Sequence, residues 1–492
     1  MANLKSLAKD TAIYGLSSIV GRFLNYLLVP LYTHYMPKDS GDYGISTNVY
    51  AYTALILVLL TFGMETTLFR FANDERYNGL HGNGPDTVFS TGFATIGSLT
   101  MVFLLLIFGF ISPISDALGY SEHPEYLLMM AVVVALDAIQ ALPFSYLRYQ
   151  KRAIRFASLK MLFIVINIAL NVIYFVWLGK TSVFYVFFIN LLCTGFITFL
   201  FIPDMFHIRW RFDGKLLREM LSYSWPILIL GIAGCMNQVA DKIIFPLVYP
   251  DEADANVQLG IYGSCVKIAM IMAMITQAFR YAYEPIVFAK SKDNDKTEYY
   301  ASAMKYFIIF TLLAFLVVMG WMPVLKYIIG ADYREGLGVV PIVMMAEIMM
   351  GVYFNLSFWY KLIDKTIYGA WFSTAGCIVL VAVNIIFIPK LGYWACAWGG
   401  VAGYGTAMVL SYFVGQKKNP IPYPIKDIAI YFISAMAAFG MMKLLAIYID
   451  LPTWALFIIN NILILGFVGI IIRSDLPLTS LPVIGKKFKK TK

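Results

Sequence analysis

Ionisable side chains occupy a handful of positions in stretches that are otherwise apolar: the cations Arg22, Lys160, Lys242, Lys267 and Lys443, and the carboxylates Asp137, Asp241 and Glu347. At the centre of a hydrocarbon layer such a group costs on the order of 3 kcal/mol on insertion scales, so it faces a water-filled cavity or a partner. Deep cations attract a polyanion such as phosphate or pyrophosphate. Deep carboxylates bind a proton or a small cation, or pair with a lysine. Tyr14, Ser18, Arg22 and Asn25 are spaced four, four and three apart and so share one helical face. That polar stripe lines either a cavity or a tight interhelical contact locked by a salt bridge, and Lys242 and Lys267 carry the same two readings. Lys160 and Lys443 lie nearer the ends of their segments, where a lysine snorkels to the headgroups.

Asp241 is adjacent to Lys242, but helix neighbours point about 100° apart, so the two need not pair. Asp241 shares a face with Asn237. Glu347 stands among Met344, Met345, Met349 and Met350 and is either an ion or proton site or a partner of a lysine. Glu65 and Arg70, and likewise Arg280 and Glu284, lie at segment ends, where they either gate a cavity or are simply solvated.

The elements that position these residues are membrane spans. The 492-residue chain is 60% hydrophobic and 14% charged, against about a quarter charged in soluble domains. That excludes a soluble enzyme, a disordered chain and a fibre, and the uninterrupted apolar runs exclude a β-barrel. About 20 apolar residues cross a bilayer, and on that basis the sequence predicts fourteen spans. The first is Thr11–Tyr35, the second Asp42–Met64, the seventh Tyr223–Val248, the eighth Gly260–Phe279, the twelfth Tyr393–Val414, and the last two Ile428–Tyr448 and Trp454–Ile472. The leader carries Lys5 and Lys9, and the apolar run after it is too long for a cleavable signal.

Most of the 38 Lys and Arg fall in connections on the side of the N-terminus and in the basic tail. The opposite loops hold only Lys38, Lys180, Lys326, Arg334 and Lys390. This asymmetry places both termini in the cytoplasm and argues against reading the net charge of +9 as a nucleic-acid surface. Cys193, Cys235, Cys265, Cys377 and Cys396 lie in apolar segments without metal-type spacing, and no metal or organic cofactor is expected. The loops are short, and none carries a Walker-type phosphate loop, so the work is done within the membrane.

An internal repeat relates the two halves. Arg22, Pro30-Leu31-Tyr32 and Gly41-Asp42-Tyr43-Gly44 correspond to Lys242, Pro246-Leu247-Val248 and Gly260-Ile261-Tyr262-Gly263. Phe69-Arg70 likewise corresponds to Phe279-Arg280. Six spans per copy make the repeat parallel, about an axis along the membrane normal. The expected domains are residues 1–213, residues 214–414, and a two-span addition with the tail at 415–492.

The run from Gly15-Leu16 through Gly21-Arg22 and Leu27-Leu28-Val29-Pro30-Leu31-Tyr32 to Gly41-Asp42-Tyr43-Gly44 resembles bacterial polysaccharide flippases. So do Phe62-Gly63-Met64-Glu65-Thr66-Thr67-Leu68-Phe69-Arg70-Phe71 and Asp241-Lys242-Ile243-Ile244 with Gly260-Ile261-Tyr262-Gly263, Lys267-Ile268, Phe279-Arg280 and Pro285. The chain as a whole resembles the O-antigen type of lipid-linked oligosaccharide flippase, in the multidrug/oligosaccharidyl-lipid/polysaccharide exporter superfamily. The resemblance implies an all-α, V-shaped bundle of about fourteen helices, in two parallel six-helix lobes plus two extra helices around a central cavity. It implies a monomer in the bacterial cytoplasmic membrane that moves an undecaprenyl-pyrophosphate-linked oligosaccharide to the outer leaflet, driven by an H⁺ or Na⁺ gradient, without bond chemistry. Membrane lipids, a polysaccharide polymerase and glycosyltransferases are its implied partners. Arg22, Lys242 and Lys267 would take the pyrophosphate, with Asn25, Ser18 and Tyr14 beside them. Asp241, Glu347 and Asp137 would couple the ion, and Glu65, Arg70, Arg280 and Glu284 would gate the cytoplasmic side. The alternatives are a multidrug/cation antiporter of the same superfamily, a peptidoglycan-precursor flippase and a membrane O-antigen polymerase or glycosyltransferase.

Overall fold

A computed structural model describes residues 28–74, 84–206, 208–289, 296–363, 365–449 and 452–475. Among them the secondary structure is helical, with no strand. The helices used below are α1 Leu28–Tyr35, α2 Asp42–Thr61, α3 Met64–Ala72, α4 Gly84–Gly109, α5 Pro124–Tyr149, α6 Ala153–Val172, α7 Val183–Met205 and α8 Gly214–Val248. They continue with α9 Glu252–Ala289, α10 Lys296–Gly320, α11 Val340–Leu356, α12 Ile367–Leu391, α13 Tyr393–Lys418, α14 Ile425–Tyr448 and α15 Thr453–Ser474.

Twelve helical stretches among the described residues are long and apolar enough to cross a membrane. Of the fourteen expected spans, the first falls largely outside the described residues. The twelfth, α13, is helical for 26 residues but is not among those twelve, because glycines and the polar-edged tyrosines and tryptophans dilute its apolar content. The dilution has a packing reason. A Cβ built on Gly376 of α12 would lie 2.7 Å from the Gly403 carbonyl of α13, and one on Gly403 would lie 2.8 Å from that of Gly376. Small residues let two backbones approach this closely where lipid supplies no hydrophobic drive between helices.

The second expected span, Asp42–Met64, is α2, and beyond a break the helix continues as α3. Phe62 (φ 51°) and Gly63 (φ 68°) are both left-handed and separate α2 from α3. This conformation is easy for glycine and costly for phenylalanine. The Gly63 position is also crowded: an added Cβ would meet Ile227 at 3.0 Å. The helix α8 runs 35 residues, far beyond the bilayer's need. Asp213 caps it by accepting from the Lys215 and Leu216 amides, and Pro226 and Pro246 lie within it.

The described residues form two compact units. One holds those up to Ser264 together with Val381–Cys396; the other holds Cys265–Leu380 together with those from Ala397 onward. In the first, α8 packs along α2 and α3, while α5 packs on α2, α4 and α7. A core of Met64, Leu68, Phe89, Leu142 and Met220, each fully buried or nearly so, closes one end. In the second, α10, α14 and α15 pack mutually, and Tyr283, Trp359, Tyr360 and Phe372 centre an aromatic core.

Candidate functional site

Each Gly-x-Tyr-Gly segment packs against the other one's helix, a few residues away from the matching segment. A Cβ on Gly44 of α2 would fall 1.7 Å from the carbonyl oxygen of Asn256 on α9, and one on Gly263 would fall 2.7 Å from Thr47 Oγ1. Gly41, at φ +69°, precedes α2 and would bring a Cβ to 3.1 Å from the Asn256 Cβ. Glycine here serves close backbone approach, and at Gly41 it also supplies a left-handed turn. The glycines of the two segments are therefore what lets α2 and α9 approach each other.

Directly beside this contact lies a buried polar network. The Asp241 carboxylate accepts from the Tyr262 hydroxyl at 2.7 Å and from Lys242 Nζ at 3.0 and 3.1 Å. Asp241 and Lys242 thus do pair, against the expectation from their roughly 100° separation. The lysine stem is long enough to fold back along the helix, and Nζ also donates to the Gln238 carbonyl at 3.1 Å. Asn48 of α2 donates to the Lys242 carbonyl at 2.8 Å and accepts from Tyr120 at 2.7 Å. Burial holds the Tyr120 phenol well above its ordinary value, so it stays a donor. Cys396 Sγ stands 4.0 Å from the Asp241 carbonyl. Desolvated charges are tolerated only when paired and hydrogen-bonded in this way.

At the far end of α2 and in α3 the arrangement is open. Thr61, Gly63, Glu65, Thr66, Phe69 and Arg148 line a cavity of about 420 Å³. Glu65 accepts from Ser145 at 3.0 Å and lies 3.4 Å from the Arg148 guanidinium, which itself stands 5.2 Å from the centre of the Phe69 ring. Glu65 is therefore joined by Arg148, not by Arg70. Arg70 covers Tyr223 at 4.4 Å, and its repeat counterpart Arg280 covers Phe354 at 4.9 Å. Both arginines form cation–π stacks, Arg70 in the last turn of α3 and Arg280 inside α9, which runs on to Ala289 rather than ending there as expected.

Lys160 stands 3.9 Å above the Phe144 ring and within electrostatic range of Asp137, Glu65 and Arg148, a more connected place than a snorkelling lysine needs. Lys267 and Glu347 are half-buried, and each is engaged by other residues. Tyr14, Ser18, Arg22 and Asn25, named from the sequence, lie outside the described residues, as does the side chain of Glu284. Sequence reasoning missed Asn48, Asn256, Tyr120 and Arg148. The first three carry no charge to mark them, and Arg148 had been assigned to the orienting loop charge. Among the described residues no three His, Cys, Asp or Glu gather as metal ligands.

The described residues thus form a helical bundle with a close-packed α2–α9 contact near one end of α2 and a polar cavity near the other, and solved structures share this fold. A structure described as the inward closed conformation of the lipid II flippase MurJ superposes with TM-score 0.73 at 15% identity, covering 94% of this chain and 98% of that one. A multidrug resistance MATE family transporter of the MOP superfamily, in an inward-facing conformation, gives 0.63 at 15% identity over 81% and 94%. An outward-facing MATE transporter gives 0.56 at 13% over 83% and 95%. No curated protein sequence matches the chain. The profile of the polysaccharide biosynthesis protein family matches residues 7–286, more than half the chain and both copies of the repeat motif. The chain belongs to that family, on the fold of the MOP-superfamily transporters.

Proposed function

We propose that this protein is a flippase in the bacterial cytoplasmic membrane. It would move an undecaprenyl-pyrophosphate-linked oligosaccharide from the cytoplasmic to the periplasmic leaflet for surface polysaccharide assembly, driven by an H⁺ or Na⁺ gradient through alternating access of two six-span lobes, residues 1–213 and 214–414. The family supports a polysaccharide role and the fold supports transport. The observation that carries the mechanism is the apposition of Gly44 with Asn256 and Gly263 with Thr47, sealed by the Asp241–Lys242–Tyr262 network. With both termini in the cytoplasm, this contact lies at the periplasmic end, where it acts as the gate that must part for release.

In this reading Lys242 is exchanged between two anions. With the gate shut its ammonium is spent on Asp241. When the gate parts, the pyrophosphate, held in the cavity with Arg22 and Lys267, competes for it, and protonation or cation binding at Asp241 favours the exchange. Glu347 and Asp137 are further ion-coupling candidates. The desolvation cost of the pyrophosphate is offset by the cavity cations while the polyprenyl tail stays in lipid.

The test is export. Arg22→Ala should abolish surface polysaccharide in cells that still insert the protein, and normal polysaccharide would overturn the site. The overlap with a lipid II flippase structure favours a second reading, a peptidoglycan-precursor flippase. Complementation of a strain depleted of its lipid II flippase separates the two, and rescue would establish the second.

A further inference from the structure

In the second compact unit, α10, α14 and α15 are pinned together at one end. Lys305 lies 2.8 Å from Asp427 and 2.5 Å from Asp475, and Tyr431 also donates to Asp475. At the opposite end of the same three helices, beside the start of α11, lies a cavity of about 290 Å³. Its walls are apolar, with Met319 and Met442 among them, but they also carry Lys326, Lys443, Thr453 and Asn460. Among the described residues neither lysine pairs with a carboxylate. The ammonium of Lys326 stands 5.3 Å from the centre of the Tyr327 ring. Asn460 is only 5% exposed; its Nδ2 donates to the Gly320 carbonyl at 3.0 Å, while its Oδ1 has no donor among the described residues.

Two uncompensated cations and an orphaned buried acceptor around one apolar-walled cavity call for a ligand with an anion, a donor and an apolar body. A buried acceptor left unmade is costly, so something supplies its proton. Lys326 follows the end of α10 and Lys443 lies in the last two turns of α14, the kind of position from which basic side chains reach acidic lipid headgroups. We propose that this cavity seats an anionic, hydroxyl-bearing phospholipid of the adjoining leaflet. Lys326 and Lys443 hold its phosphate, Asn460 Oδ1 accepts from the headgroup, and the methionines receive the start of an acyl chain. A choline headgroup fits poorly, because it brings its own cation and no donor. The site is independent of the transport reading, since it uses none of the gate or cavity residues.

The experiment is thermal unfolding of the purified full chain in detergent, with phosphatidylglycerol, phosphatidylcholine or glycerol 3-phosphate added. Phosphatidylglycerol should raise the midpoint by several degrees over phosphatidylcholine. Lys326→Gln/Lys443→Gln should lose that increment relative to its own lipid-free baseline, and Lys326→Arg/Lys443→Arg should keep it. Asn460→Ala should reduce it by a smaller amount. Equal shifts with the two lipids, or an increment that survives the double glutamine variant, would overturn the site. A shift of the same size from glycerol 3-phosphate would overturn a lipid as its occupant.

Discussion

The two ends of the α2–α3 segment are built on different principles. At Gly44 the contact is backbone against backbone, dry, with no space for a single methyl group, and the charges beneath it are buried and paired within 3.1 Å. At Glu65 the contact is side chain against side chain, bordering a cavity of about 420 Å³, with a half-exposed ion pair at 3.4 Å. The first arrangement is all-or-none, because a helix pair at that distance is either seated or parted. The second can adapt gradually, as long side chains swing. The proposed alternating-access function calls for both: a definite seal at the end where release occurs, and tolerance where a bulky cargo enters. The second unit repeats the contrast with charge alone, pinned at Lys305 and open at Lys443.

The comparison can be broken most forcefully at Gly44. Gly44→Leu should prevent seating altogether, cut export at least tenfold, and expose a cysteine placed at Thr47 to a membrane-impermeant thiol reagent. Wild-type export by this variant would remove the seal from the mechanism. Next in size, Asp241→Ala strands Lys242 in a largely buried place at a cost of about 3 kcal/mol, measurable as a fall in thermal midpoint together with loss of gradient-dependent transport in vesicles. Asn48→Ala removes both hydrogen bonds to its side chain and should cost about 1–2 kcal/mol, detectable by the same melts without a change in ion dependence.

The pinned end of the second unit gives a pH handle. Burial alone would raise the Asp475 carboxyl, but hydrogen bonds from Lys305 and Tyr431 overcome that and hold it below its ordinary value. A carboxylate depressed in the folded state contributes stability above its unfolded value, and loses it as pH falls through the folded one. Docking of α14 and α15 should therefore weaken only in acid, below about pH 4, and Lys305→Met should abolish that acid sensitivity in melts. Smallest of all, Arg148→Ala should change stability by about 0.5 kcal/mol or less, since exposed pairs contribute little. A larger loss would show that the open end is not the loosely held one.

The spans were legible in the sequence because bilayer thickness imposes a length that composition alone reveals. Even the exception is physical: α13 trades apolar bulk for glycines that let α12 approach. The Gly-x-Tyr-Gly pattern was visible, but its meaning was not, since a linear pattern does not say that each glycine is crowded by the other helix. Asp241 and Asn237 were correctly drawn onto one face, yet the pairing of Asp241 with Lys242 depended on side-chain reach, which angular arithmetic ignores. Asn48 and Tyr120 were invisible because nothing distinguishes a neutral polar residue, in a span or in a connection, until its partner is placed. Lys305 had no mark in the sequence either, because its two carboxylate partners, Asp427 and Asp475, are more than a hundred residues away in the chain.

The seal also has a genetic signature, and it is unequal on its two sides. A Cβ at position 263 meets only the side chain of Thr47, so damage from Gly263→Ala can be repaired by trimming that side chain, with Thr47→Ala as the natural second-site suppressor. A Cβ at position 44 meets the peptide carbonyl of Asn256, which every residue at 256 shares. No substitution there can relieve it, and revertants of Gly44→Ala should arise from changes that re-tilt α2 or α9, or from glycine restored.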